Sequence, residues 1–84
     1  DHEGIVNIGR DIEGVEASIF LREQDGMYRV SLRGNGNIDL SEVSKIFGGG
    51  GHKNAAGITL KKEMSFEELK KKLIDAVINE LNNG

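Results

Sequence analysis

"VEASIFLREQDGMYRVSLR", Val15 to Arg33, decides how this chain folds. In its first half Val15, Ala17, Ile19 and Leu21 alternate with Glu16, Ser18, Phe20 and Arg22. In its second half Tyr28, Val30 and Leu32 alternate with Met27, Arg29, Ser31 and Arg33. Strict alternation is the signature of a strand with one buried face. Between the halves lies Asp25-Gly26, a pair that accepts the positive φ angles of a tight two-residue hairpin turn. That turn sets Leu21 opposite Val30 and Ile19 opposite Leu32, so both apolar sets share a face. Turn chemistry and register therefore agree.

The same register puts Arg22 opposite Arg29, with Arg33 further along that face. Like charges placed directly across a strand pair are destabilising. Two explanations fit: a solvated face with splayed side chains, or a cationic face that holds an anion.

Working outward, Ile5, Ile8 and Ile12 recur at helical spacing behind Asp1, which predicts a short helix over residues 3–12 stopped by Gly14. "NIDLSEVSKIF", residues 37–47, predicts a helix with Asp39 as N-cap, Glu42 at capping-box spacing, and a stripe of Leu40, Val43, Ile46 and Phe47. "ITLK", residues 58–61, predicts a short strand. "SFEELKKKLIDAVINEL", residues 65–81, predicts a helix capped by Ser65, with Phe66, Leu69, Leu73, Val77 and Leu81 on one face. Lys70, Lys71 and Lys72 fall on its solvated side. The expected fold is α+β, in the order α-β-β-α-loop-β-α, with helices covering the apolar face of a small sheet.

With 84 residues the chain has room for one small domain. It has no stretch near the ~20 apolar residues of a membrane span and no signal-peptide pattern, so no membrane partner is expected. It has no cysteine, which removes disulfides and zinc–thiolate sites and fits a cytoplasmic setting. A net charge of −3 argues against nonspecific duplex DNA binding but allows a local cationic pocket. The chain opens on Asp1 and not on Met, which suggests a piece of a longer protein.

"FGGGGHKNAAG", residues 47–57, holds five of the twelve glycines. Gly48 alone suffices to stop the preceding helix. The other three add backbone entropy with no capping benefit, and a patterned strand and helix follow too soon for a linker. Bare backbone lets N–H groups approach an anion, and "HKNAA" is expected to open a short helical turn whose N-terminus adds partial positive charge. His52 and Lys53 would stand at its mouth. His52 either contacts a ligand or fixes the loop by bonding a carbonyl.

Competing motifs fail on spacing. Lys53 lies between His52 and Asn54, not in the Gly-Lys-Ser/Thr of a P-loop. "RGNGNID" lacks the third glycine of a dinucleotide fingerprint and reads as a turn. No set of histidines and carboxylates has metal-ligand spacing, and no serine–histidine arrangement suggests a nucleophile. The residues alone point to a ligand-binding module without a catalytic set.

"GGGGHKNAAG" together with "GVEASIFLRE" and "YRVSLR" resembles the DHH-associated C-terminal domain of the DHH phosphoesterase superfamily, over nearly the whole chain. It looks most like the oligoribonuclease and 3′-phosphoadenosine 5′-phosphate phosphatase branch. The resemblance implies a separate N-terminal domain in the same chain that carries an Asp-His-His motif, binds two Mn²⁺ ions and hydrolyses the phosphodiester. "DHE", Asp1 to Glu3, is not that motif, so neither catalytic nor metal residues are expected here. The implied substrate is short RNA or a 3′-phosphorylated nucleotide. The resemblance assigns Gly49, Gly50, Gly51 and His52 to the substrate-gripping loop, with Lys53 and Asn54 following. It assigns Arg33 and Ser31 to a phosphate-contacting strand end, and Arg22 to the position after the first strand. Gly34 departs from the serine common in that family, so a hydroxyl contact is expected to be lost there.

Other assignments stay open: a RecJ-like single-strand DNA exonuclease, a cyclic-dinucleotide phosphodiesterase, or a nonenzymatic RNA-binding or dimerisation module like those ending alanyl-tRNA synthetases. A homodimer is compatible with each. A long single-strand track calls for stacking aromatics among basic residues. Tyr28, Phe47 and Phe66 are expected in the core, leaving Phe20, which disfavours the exonuclease.

Overall fold

The hairpin forms in the register its alternation requires. In the computed structural model, which describes residues 3–9, 16–36 and 38–83, β2 (Glu16–Gln24) and β3 (Met27–Asn35) pair antiparallel. Leu21 faces Val30, Ile19 faces Leu32 and Arg22 faces Arg29. Asp25 at φ 53° and Gly26 at φ 75° make the turn, both in the left-handed region that the primed hairpin turns demand. Lys62 fastens this end of the sheet, its N–H donating to the Gly26 carbonyl at 3.0 Å and its ammonium to Glu23 at 2.5 Å.

Three further strands complete one antiparallel sheet in the order β1-β2-β3-β5-β4, where β1 is Glu3–Gly9, β4 is Gly50–His52 and β5 is Ala55–Lys61. Two helices, α1 (Leu40–Ile46) and α2 (Phe66–Asn83), cover one face. Ala17, Ile19 and Leu21 of β2, Tyr28, Val30 and Leu32 of β3, and Ala56 and Ile58 of β5 form one buried cluster with Leu40 and Val43 of α1 and Leu69, Leu73, Val77 and Leu81 of α2. The fold is α+β, with helices over the apolar face of a small sheet.

The first element is a strand, not the helix expected over residues 3–12. The i, i+3 spacing of Ile5 and Ile8 is real, but Gly4, Val6 and Ile8 also alternate with Glu3, Ile5 and Asn7. Pairing along the free edge of β2 supplies backbone partners that an isolated short helix lacks, and Val6 and Ile8 pack on the core. Ile5 is left 62% exposed on the opposite face. Ile12 and Gly14 lie outside the described residues.

Both helix starts are capped. The Asp39 carboxylate accepts from the Ser41 N–H at 3.1 Å and from the Ser41 hydroxyl, and the Ser65 hydroxyl accepts from the Glu68 N–H at 3.1 Å. Ile46 departs from the expected stripe and is exposed, because α1 ends there. Tyr28 anchors the start of α2: its hydroxyl donates to the Met64 carbonyl at 2.5 Å, and its ring meets Phe66 edge-on at 6.5 Å. No helix among the described residues is long and apolar enough to cross a membrane.

Candidate functional site

Among the described residues both helices lie on one face of the sheet, and register decides what stands on the other. Side chains alternate faces along a strand, so the residues opposite the core strip project together. One cross-strand row contains Asn7, Ser18, Arg33, Ala55 and His52. The next contains Ile5, Phe20, Ser31, Gly57 and Gly50, and the third contains Glu3, Arg22, Arg29 and Thr59. Arg22, Ser31, Arg33, Gly50 and His52, far apart in sequence, therefore share one exposed surface. Arg33 and His52 lie two strands apart, roughly 10 Å between backbones, and Ala55 and Gly57 keep the ground between them low.

None of Arg22, Arg29 and Arg33 forms a salt bridge among the described residues. Arg33 donates to the neighbouring Leu32 carbonyl at 3.2 Å, and Glu3 stands opposite Arg22 at the rim. Three guanidiniums on one face, two of them directly opposed, form a repulsive surface that an anion would relax. A guanidinium offers the paired donors that grip phosphate in a forked geometry.

The glycine run resolves into separate jobs. Phe47 is the C-cap of α1; the Gly48 N–H donates to the Lys45 carbonyl at 3.1 Å and the Gly49 N–H to the Ser44 carbonyl at 2.8 Å. With Gly48 at φ 79°, this is a Schellman stop. Gly49 then passes so close to β5 that a Cβ would run into the Gly57 carbonyl and come within 3.1 Å of Ile58 Cα. Gly51, at φ 143°, would place a Cβ 2.5 Å from Ala56 Cα and 2.7 Å from the Ala55 carbonyl. The approach of the chain's own backbone thus gives glycine a reason at 49 and 51. Gly50 meets nothing within 4 Å, and it faces the open surface.

The segment after the glycines is not the helical turn expected of "HKNAA". Gly50–His52 is an edge strand, Lys53 and Asn54 turn the chain, and β5 begins at Ala55, earlier than the strand expected over 58–61. Ladder pairing of Gly51 with Ala56 and His52 with Ala55 gives these residues partners that a helical turn would forfeit. The turn's carbonyls also hold neighbouring elements: Lys53 accepts from the Leu40 N–H at 2.7 Å and Asn54 from the Gly34 N–H at 3.0 Å. β4 stands at the edge of the sheet, with no strand on its outer side among the described residues.

Gly34 faces the core. A Cβ there would lie 2.9 Å from Leu40 Cδ1 and 3.3 Å from Ile38 Cγ2. A serine hydroxyl at this position would press on α1 and not on the arginine face, so the departure at Gly34 leaves that face unchanged.

Arg29 stands on the same face as the candidate residues, opposite Arg22. A depression of about 590 Å³ on this face is lined by Glu3, Ile5, Phe20, Arg22, Arg29 and Ser31 among others. The pairing of Arg22 with Arg29 was the available signal; Glu3 and Ile5 were hidden by assigning β1 to a helix. No three His, Cys, Asp or Glu side chains among the described residues converge to hold a metal ion.

An antiparallel sheet covered by two helices on one side thus presents three arginines, a histidine and two glycines on the other. The chain belongs to the DHHA1 domain family, which matches it over residues 2–80. Among curated proteins it is similar to the bifunctional oligoribonuclease and PAP phosphatase NrnA of Thermus thermophilus, with 35% identity over 84 residues. That match covers all of this chain and 26% of the relative, so the chain spans about a quarter of the relative's length.

Proposed function

We propose that this domain holds the substrate for a metal-dependent phosphoesterase that degrades short oligoribonucleotides and dephosphorylates 3′-phosphoadenosine 5′-phosphate. The observation that carries the reading is the register that brings Arg22, Arg29, Arg33, Ser31, Gly50 and His52 onto one exposed, helix-free face. Membership of the DHHA1 family and similarity to an oligoribonuclease and PAP phosphatase support the same chemistry. A DHH domain earlier in a longer chain would hold the two Mn²⁺ ions and supply water activation. The residues of this domain bind and orient: Arg33 and Ser31 take a phosphate, His52 donates to it or stacks beside it, and Gly50 keeps the floor open. Gly49 and Gly51 shape the strand that carries His52, while Lys53 and Asn54 hold its turn. The lack of cysteine suits a cytoplasmic enzyme.

The test is titration of the 84-residue chain with 3′-phosphoadenosine 5′-phosphate and with a 5′-phosphorylated diadenylate, alongside Arg33→Ala and His52→Ala. Losing a charge-assisted hydrogen bond is expected to weaken binding about tenfold or more. Equal affinity of wild type and both variants would overturn the assignment.

A further inference from the structure

We propose that Phe20 and Ile5, with Arg22 and Arg29 beside them, form a second nucleotide subsite. In it, a neighbouring base stacks on the apolar pair while the two guanidiniums hold its phosphate. The inference deepens the function proposed above and rests on it.

Phe20 is 40% exposed although a strand at the centre of a small domain could have hidden it, and its cross-strand partner Ile5 is 62% exposed. Tyr28, the other aromatic of the hairpin, is fully buried. Phe20 therefore stands out of the core on the cationic face. Ser31 is its partner on the other side, and the row beyond it holds Arg22 and Arg29. All five residues line one depression of about 590 Å³, within the ~300–1,000 Å³ span of small-molecule sites.

Arg33 and Arg29 are four residues apart on β3, roughly 13 Å between their Cα atoms. Long guanidinium side chains and a two-nucleotide ligand span that distance together. Gripped at the Arg33–His52 end, such a ligand lays its next base over row two and its next phosphate over row three. Every base has a π-face, so the shelf tolerates sequence while requiring a second nucleotide. Two apolar side chains ringed by arginines are too small for a stable protein interface, which needs about 1,000 Å² or more, and their charge complements a phosphodiester. Glu3, opposite Arg22, keeps the rim from being wholly cationic and offers an acceptor to a hydroxyl or an amino group.

The experiment compares Phe20→Ala, Phe20→Tyr and wild type for binding of 5′-phosphorylated diadenylate and of 3′-phosphoadenosine 5′-phosphate, with sedimentation of each protein. Removing a stacking partner should weaken the dinucleotide about five- to a hundredfold and leave the mononucleotide unchanged, while Phe20→Tyr retains wild-type binding of both. Equal weakening of both ligands, or of neither, overturns the shelf while the proposed function stands. A change of sedimenting mass without loss of dinucleotide affinity assigns the patch to an interface between copies and also overturns it. A wild-type protein that binds neither ligand removes the proposed function and the shelf with it.

Discussion

Of three consecutive glycines, Gly49 to Gly51, only the middle one should tolerate an added methyl group. Gly51 sits at φ 143°, and its Cβ would lie 2.5 Å from Ala56 Cα and 2.7 Å from the Ala55 carbonyl. Both obstacles are backbone of a paired strand and cannot swing aside. A Gly-only backbone conformation costs about 1–3 kcal/mol for another residue, and overpacking adds ~1–3 kcal/mol. Gly51→Ala should therefore lose about 2–6 kcal/mol. A domain of this length has roughly 4–13 kcal/mol in all, at 0.05–0.15 kcal/mol per residue. Gly49→Ala meets the Gly57 carbonyl and Ile58 Cα without the backbone cost of a positive φ, so it should lose about 1–3 kcal/mol from overpacking alone. Gly50→Ala meets nothing within 4 Å, so it should fold as well as wild type or gain about 0.4–1 kcal/mol from a stiffer unfolded chain. At the proposed site its methyl would stand between backbone and phosphate, and a ~1–3 kcal/mol steric cost is expected to weaken nucleotide binding about five- to a hundredfold. Urea unfolding of the three variants, followed by dinucleotide titration of those that fold, gives both numbers. Wild-type stability in Gly51→Ala, or loss of stability in Gly50→Ala matching that of its neighbours, would refute the division of labour.

Arg29→Gln removes one of two opposed cations and should raise stability by up to about 1 kcal/mol while weakening nucleotide binding. The slope of log affinity against log salt should also become shallower by about 0.7. Tyr28→Phe leaves the Met64 carbonyl without its donor; the expected loss is about 1–2 kcal/mol, read as a Tm lowered by about 4–8 °C per kcal/mol. The two acidic groups near the α1 N-terminus should act oppositely with pH. The Ser41 hydroxyl holds the Asp39 carboxyl below its usual 3.8, so its stabilisation is present above that value and lost as pH falls through the lowered one. Burial, and then repulsion from Asp39 and Glu42, holds Glu80 above its usual 4.5, so its ionisation costs stability at neutral pH and the cost is relieved on acidification through the raised value. Glu80→Gln should gain about 0.3–0.5 kcal/mol at about pH 7 after solvent screening, with the advantage gone below about pH 4; denaturation midpoints across that range check the sign.

Where two independent signals agreed, the sequence was legible. Asp25-Gly26 and the alternation on both sides fixed the hairpin register, and with it the opposition of Arg22 and Arg29. Ser65 and the stripe from Leu69 to Leu81 likewise fixed α2. Reading failed where one signal served two periods: Ile5 and Ile8 satisfy a helix, yet Val6 and Ile8 satisfy an edge strand, and only the partner β2 decides. β4 was illegible for a different reason. Two glycines and a histidine have no alternation to display, and the strand exists because β5 lies alongside. That pairing also puts His52 in the row of Arg33, a placement that no spacing within "GGGGHKNAAG" encodes.

The most direct test of the account is to map which backbone amides of the 84-residue chain shift in an NMR titration with 5′-phosphorylated diadenylate. Phe20, Arg22, Arg29, Ser31, Arg33, Gly50 and His52 should shift together on the arginine face, while Leu69, Leu73 and Val77 of α2 stay still. Shifts centred on the helices, with the arginine face silent, would contradict it.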